Sequence, residues 1–156
     1  MGIRISGLKE VQDYLLREMQ KEINLVVKYL DMIGLETVKA IRDGDVSNWD
    51  DKSGNLRSSI GYIIVVDGEI VNKGGFEAIM PGSEEGGRKG YSFASQLVSQ
   101  YPKGFALIVV AGMEYASHVE KVDSKTVLAG GEIFARQKAA ELAKDLSNAL
   151  KLSQQK

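Results

Sequence analysis

The sequence has no cysteine. That excludes disulfides, thiolate metal sites and a thiol nucleophile. Histidine occurs once, tryptophan once and proline only 2 times in 156 residues. A lone imidazole is a poor start for a metal centre, which needs several ligands. It is an equally poor start for a catalytic base, which needs a nucleophile and an orienting group beside it. An excess of one charge is missing too. Lys+Arg 20 stand against Asp+Glu 21, a net charge of -1, with the signs mixed from end to end. A nucleic-acid binder shows a basic patch, and none stands out here, although weak contact with DNA stays open. No run approaches the ~18 apolar residues of a membrane helix. The first residues show no basic and apolar leader, so the expectation is a chain with neither leader nor membrane anchor. Met1-Gly2-Ile3-Arg4-Ile5-Ser6 does fit the myristoylation pattern, which is permissive and acts only in a eukaryotic cell.

What is present reads as a single α+β domain spanning 1–156. A chain of this length buries roughly 70% of its unfolded surface and needs no staples. Phe105 to Val110 is an apolar run of strand length without a charge. It is expected to be the central strand. Ala111 and Gly112 then make a tight turn, and a short helix follows with Tyr115, Val119 and Val122 on one side. From Ile60 the period is two: Ile60, Tyr62, Ile64 and Val66 face one way, Ile63 and Val65 the other. Both faces are apolar, so this strand too is expected to be covered on both sides. Asp67-Gly68 signals a two-residue hairpin, and Glu69 to Asn72 is the returning strand.

Leu8, Val11, Leu15, Ile23, Val26, Leu30, Ile33, Val38 and Ile41 form one apolar stripe at helical spacing. Ser6 is a candidate N-cap and Gly44 a candidate stop. Such a helix would span about 50 Å at ~1.5 Å per residue. A compact domain of this length is only about 40 Å across. Either the helix breaks or bends near Gly34, or one end projects and its apolar stripe needs a cover, most simply another subunit. Asp43 to Lys52 reads as a polar loop holding Trp49, a core-edge plug or a binding contact.

The stretch 74–90, with Gly74, Gly75, Gly82, Gly86, Gly87 and Gly90, is expected to be a mobile loop that orders against a partner. Ser92 to Tyr101 looks helical, with Phe93, Leu97 and Val98 inward and Pro102 as the stop. A last helix from about Gly131 to Leu152 carries Ala135, Ala139, Leu142, Leu146 and Ala149, flanked by Ile133, Phe134 and Leu150.

Little of this is chemistry. His118 lies four residues after Glu114, a spacing for a helical pair rather than a site. Ser58-Ser59 lacks the frame of a nucleophile elbow. Asp50-Asp51 and Glu84-Glu85 read as solvated turns rather than calcium loops. Gly82…Gly87-Arg88-Lys89 lacks the Gly-Lys-Ser/Thr order of a phosphate loop. No catalytic residue, metal ligand or cofactor site is assigned.

Two stretches carry more information together than either does alone. The first is Ser53-Gly54-Asn55-Leu56-Arg57-Ser58-Ser59-Ile60, where Ser53 can cap a helical turn and Leu56 can point inward. The second is Val110-Ala111-Gly112-Met113-Glu114-Tyr115-Ala116-Ser117-His118-Val119-Glu120. The pair resembles the tail-completion, or tail-component, family of long-tailed, lambda-like bacteriophages. Its members carry Thr-Gly-x-Leu-x-x-Ser-Ile, a strand hairpin, then Tyr-Ala-x-x-Val-Glu, between a long helix and a last helix. Here Ser53 replaces the usual Thr, and Lys121-Val122-Asp123-Ser124 stands where Gly-Thr and Pro-Phe elements are frequent.

The resemblance implies a small antiparallel sheet packed by a long N-terminal helix and a C-terminal helix. It implies a non-enzymatic virion protein of the head–tail junction, without cofactor or metal. Such a protein acts as a homo-oligomeric ring among other junction and tail-tube proteins, in the virion and, during assembly, in the host bacterial cytoplasm. Neither a membrane nor a specific nucleic-acid sequence is an implied partner. The matched residues Ser53, Gly54, Leu56, Arg57, Ser59, Tyr115, Ala116, Val119 and Glu120 then have structural roles. Tyr115 would anchor the short helix, and Glu120 would cap it or pair with Arg57. The alternative is a small-ligand-binding domain or minor enzyme using the glycine-rich loop with Arg88, Lys89 and His118.

Overall fold

A computed structural model describes residues 8–44, 51–113 and 127–153. The fold is α+β, a three-stranded antiparallel sheet with a long N-terminal helix and a C-terminal helix. The middle strand, β1 (Ile60–Val66), is β-branched and apolar on both faces, as a strand covered twice must be. Ile60, Tyr62 and Ile64 lie in one core cluster, and Ile63 and Val65 in another across the sheet. Asp67 and Gly68 take φ of 49° and 84°, the pair of positive angles a tight hairpin requires. The chain returns as β2 (Glu69–Gly75), with a register shift between Ile64 and Val65.

The third strand, β3 (Phe105–Ala111), pairs with the other edge of β1, from Ile60↔Ala111 to Val66↔Phe105. The strand order β2-β1-β3 corrects the expectation that Phe105–Val110 is central. An apolar run records burial, not the number of strand neighbours. β3 is buried mainly toward Val110 and Ala111, and Phe105 at its start is exposed.

The first helix, α1 (Leu8–Asp43), runs unbroken for 36 residues and stops before Gly44, whose φ is 82°. Gly34 does not break it. The Tyr62 ring lies so close that a Cβ on Gly34 would sit 2.6 Å from it. Glycine here admits a neighbour within a continuous helix. Ile33, Thr37, Val38 and Ile41 form the buried face, and the other end projects. The C-terminal helix, α4 (Ala129–Ser153), packs antiparallel to it. Gly131 abuts Ile41, and Lys138 reaches Glu36 at 3.4 Å. Of the inner stripe expected on α4, Ala135 and Leu142 are half-buried and Ala139 is exposed. Ile133 is exposed as well. The side chains of Leu146, Ala149 and Leu150 lie outside the described ones.

The expected loop over 74–90 is largely regular structure. Gly74 and Gly75 end β2, and α3 (Glu84–Leu97) begins well before Ser92, followed by a 3-10 turn at Val98–Gln100. Each glycine costs a helix interior about 1 kcal/mol, so local propensity points to a loop. Tertiary packing overrides it. A Cβ at Gly86, Gly87 or Gly90 would lie 2.1, 2.0 or 2.2 Å from the carbonyl oxygens of Asn55, Phe76 and Ser59. Those glycines form the face that lets α3 touch backbone. This also rotates the helix relative to expectation. Ala94 is buried, Leu97 and Val98 are half-buried, and Phe93 is exposed.

Candidate functional site

The structure brings the described parts of the two sequence motifs into one knot. In α2 (Asn55–Ser58) Leu56 is buried, and Gly54 before it is left-handed, with a φ of 73°. Ser53 Oγ accepts a bond from the Asn55 N–H at 3.2 Å. Asp51, read from sequence as a solvated turn, takes the stronger capping role: its carboxylate accepts the Arg57 N–H at 2.7 Å. Ser59 Oγ donates to the Leu56 carbonyl at 2.7 Å, and the Ser59 carbonyl accepts the Gly112 N–H at 3.2 Å. Gly112 also meets Gly90 of α3 closely enough that a Cβ would clash. Thus Ser53–Ile60, the glycine face of α3 and Val110–Gly112 converge at one end of the sheet.

Two further contributors carried no sequence signal specific enough to find them. Arg42, in the last turn of α1, donates to the Arg57 carbonyl at 3.0 Å and to the Ile60 carbonyl at 2.7 Å. Burial lowers its pKa, and nearby Glu77 and Asp43 oppose that shift. Its position at a helix C-terminus was the only hint. Ser58 and Ser83, both fully buried, bond to each other at 2.9 Å. Ser58 Oγ accepts the Ile79 N–H, while Ser83 Oγ accepts the Met80 N–H and donates to the Met80 carbonyl. These hydroxyls hold the 76–83 connection. Their described partners are each other and backbone, which is scaffolding rather than nucleophile activation.

Tyr115, Ala116, Val119 and Glu120 lie outside the described residues, as do Glu114, His118, Trp49 and Ser6. The suggested Arg57–Glu120 pair and the Glu114–His118 pair therefore lie outside them too. For the alternative ligand site, Lys89 is 3.0 Å from Glu85. That bond holds the Glu85 carboxyl below its ordinary pKa. Arg88 lines an open cleft of about 380 Å³ with Lys73, Phe76, Glu84 and Tyr91. Lys73 Nζ sits 4.2 Å over the Tyr91 ring. Among the described residues there is no group of three or more metal-ligating side chains. No described helix is long and apolar enough to cross a membrane.

The feature with the largest unexplained energy is the outer half of α1. Leu8, Val11, Tyr14, Leu15, Leu16 and Met19 are each 55–61% exposed. Full burial of such a side chain contributes roughly 1.5–3 kcal/mol, so covering the exposed half of six is worth about 5–9 kcal/mol. From Leu8 to Glu22 the helix advances about 21 Å. Leu8, Leu15 and Met19 continue the face that carries the half-buried Val26 and the buried Ile33. Where α1 meets the sheet, the Tyr62 hydroxyl donates to Asp31 at 2.5 Å, and Asn72 Nδ2 donates to the same oxygen at 2.9 Å. Burial of the phenol, then the Asp31 contact, push the Tyr62 pKa up. The clamp ties one point of α1 to both β1 and β2.

Beside the inner half of α1 an apolar groove of about 720 Å³ opens between that helix, β3 and α4. Its walls include Leu30, Ile33, Leu107, Val109 and Ala135, together with the charged Glu132 and Arg136. Its described groups do not form an acid, base and nucleophile set. No protein-family model, no curated protein and no solved structure matches this chain.

Proposed function

We propose that this chain is a structural protein of the head–tail junction of a long-tailed phage or prophage, working by ring assembly rather than catalysis. The observation that most supports self-assembly is the outer half of α1, an apolar helix face left in solvent. The junction itself is suggested by the resemblance of Ser53–Ile60 and Val110–Glu120. Its partners on this reading are copies of itself and neighbouring junction and tail-tube proteins, in the virion and in the host cytoplasm during assembly. The convergence of Ser53–Ile60 with Val110–Gly112 supports scaffold roles for Ser53 and Ser59, whose hydroxyls bond local backbone and, for Ser53, the Asp51 carboxylate.

The test is to tag the chain in a producing lysogen and sediment the particles. The tagged chain should travel with virions or tail tubes, and its deletion should leave heads and tails unjoined. A chain absent from particles and monomeric in solution contradicts the proposal. A second reading, ligand binding at the cleft beside Lys73 and Arg88, is tested by a thermal-shift screen with nucleotides and metals. A specific shift lost in Arg88→Ala or His118→Ala would favour it.

A further inference from the structure

We propose that the outer edge of β3 accepts an extended, uncharged apolar segment of a partner protein as a fourth strand of the sheet. The two edges of the sheet, β2 and β3, differ, and nothing in that difference depends on the junction reading. In an antiparallel ladder, residues alternate between bonding the neighbouring strand and facing away from it. On the β2 side the Phe76 N–H donates to the Ile60 carbonyl, in the register that pairs Ile63 with Lys73, so the Lys73 N–H faces outward. Asn72 Oδ1 accepts that N–H at 2.8 Å. Val71, skipped by the register shift, bulges the same edge, and the charges of Glu69 and Lys73 flank it. Bulges, charges and occupied N–H groups close an edge to further strands.

The β3 edge has none of these devices: its register is unbroken and the strand holds no charged residue. The Gly112 N–H to the Ser59 carbonyl and the Asp67 N–H to the Gly104 carbonyl fix which pairs are bonded, so Ala106, Ile108 and Val110 face β1. Leu107 and Val109 turn their N–H and C=O groups outward, and among the described residues no backbone group meets them. The groove of about 720 Å³ runs along that edge, with Leu107, Ile108 and Val109 at its back. Leu30, one of its walls, packs in the core cluster on one face of the sheet, and Leu97, another, in the cluster on the opposite face. The two helix layers thus extend past the last strand and frame a slot in the plane of the sheet. A strand added there is covered on both faces, as β1 is, which calls for apolar residues at successive positions. Glu132 and Arg136 at the rim bond each other at 2.9 Å and present no unmatched charge to a charged segment. The β3 edge of a second copy fits less well, because that copy's own helices flank it and meet the same walls. A free terminus or loop brings backbone donors and acceptors without such layers, the usual form of strand addition.

The probe is a synthetic peptide, Lys-Lys-Val-Ile-Val-Ile-Val-Lys-Lys, added to the full chain and read by residue-resolved amide hydrogen exchange. It should slow exchange at Leu107 and Val109 by about tenfold or more and leave Lys73 unchanged. The same peptide N-methylated through its apolar run keeps the hydrophobicity but lacks the amide donors, and should have no effect. Val109→Pro removes an outward N–H without touching the bonds from β3 to β1. It should abolish the protection at Leu107 while circular dichroism stays that of the parent; if that variant fails to fold, the N-methylated peptide decides alone. Unchanged exchange at Leu107 and Val109 with the peptide present overturns the proposal. So does equal protection by the N-methylated peptide, which marks a merely apolar site. Protection of these amides in the chain alone, rising with its concentration, assigns the edge to a second copy and overturns the proposal too. A chain absent from sedimented particles removes the junction reading and leaves this edge as it is.

Discussion

In its inner half α1 buries Ile33, Thr37, Val38 and Ile41 against the sheet and α4. In its outer half the same spacing puts Leu8, Leu15 and Met19 into solvent. The helix, its period and its residue types do not change between the halves. Only the cover changes. Helical periodicity specifies a face that will be buried; what buries it is decided by how far the rest of the chain reaches. Here the sheet and its clamp at Asp31 reach the middle of the helix.

The largest expected effect sharpens this contrast on the buried side. Ile41→Ala should destabilise the fold by about 2–5 kcal/mol, because it removes a fully buried core side chain and leaves a cavity. Chemical denaturation followed by circular dichroism measures it. A loss as small as that of an exposed position would mean that the inner half is not the core.

The next effect is decided by sign. If Gly34 were merely tolerated in α1, Gly34→Ala would stabilise by about 1 kcal/mol through helix propensity. With the Tyr62 ring 2.6 Å from the new Cβ, overpacking costs about 1–3 kcal/mol and should outweigh that gain. A rise in midpoint denaturant concentration would refute the packing role.

A smaller effect tests the clamp through pH. Folded Tyr62 keeps its proton to higher pH than an unfolded phenol, whose pKa is about 10. Below that value both states hold the proton and the contribution is complete. Above it the unfolded state releases the proton first, so stability falls with rising pH. Tyr62→Phe should flatten this decline relative to the parent and lose about 1 kcal/mol at neutral pH for the missing hydrogen bond. Parallel declines in the two proteins would show that Tyr62 is not the group responsible.

The sequence made local matters readable and left pairings obscure. Asp67-Gly68 announced the hairpin because only a few residues accept two positive φ angles. The two-faced pattern of Ile60–Val65 announced a strand covered twice, and Gly44 marked the end of α1. Strand order was not readable, since Phe105–Val110 and Ile60–Val66 are similarly apolar and pairing leaves no period of its own. The start of α3 was missed because Gly86, Gly87 and Gly90 are loop residues by propensity. Their value lies in touching the backbone of Asn55, Phe76 and Ser59, which are distant in sequence. The same holds at the candidate site. Leu56 pointed inward as its position implied, whereas Arg42 and Asp51 gained their roles only from neighbours assembled by folding.

The outer half of α1 gives the smallest change in monomer stability and the largest change in assembly. Leu15→Ser with Met19→Ser should alter the unfolding free energy of the isolated chain by no more than about 0.5 kcal/mol per site. Sedimentation velocity of the parent and this double variant, across a concentration series, tests the claim that this face is covered by another copy. The parent should sediment as a multimer and the variant as a folded monomer. Equal mass for the two at every concentration would contradict it.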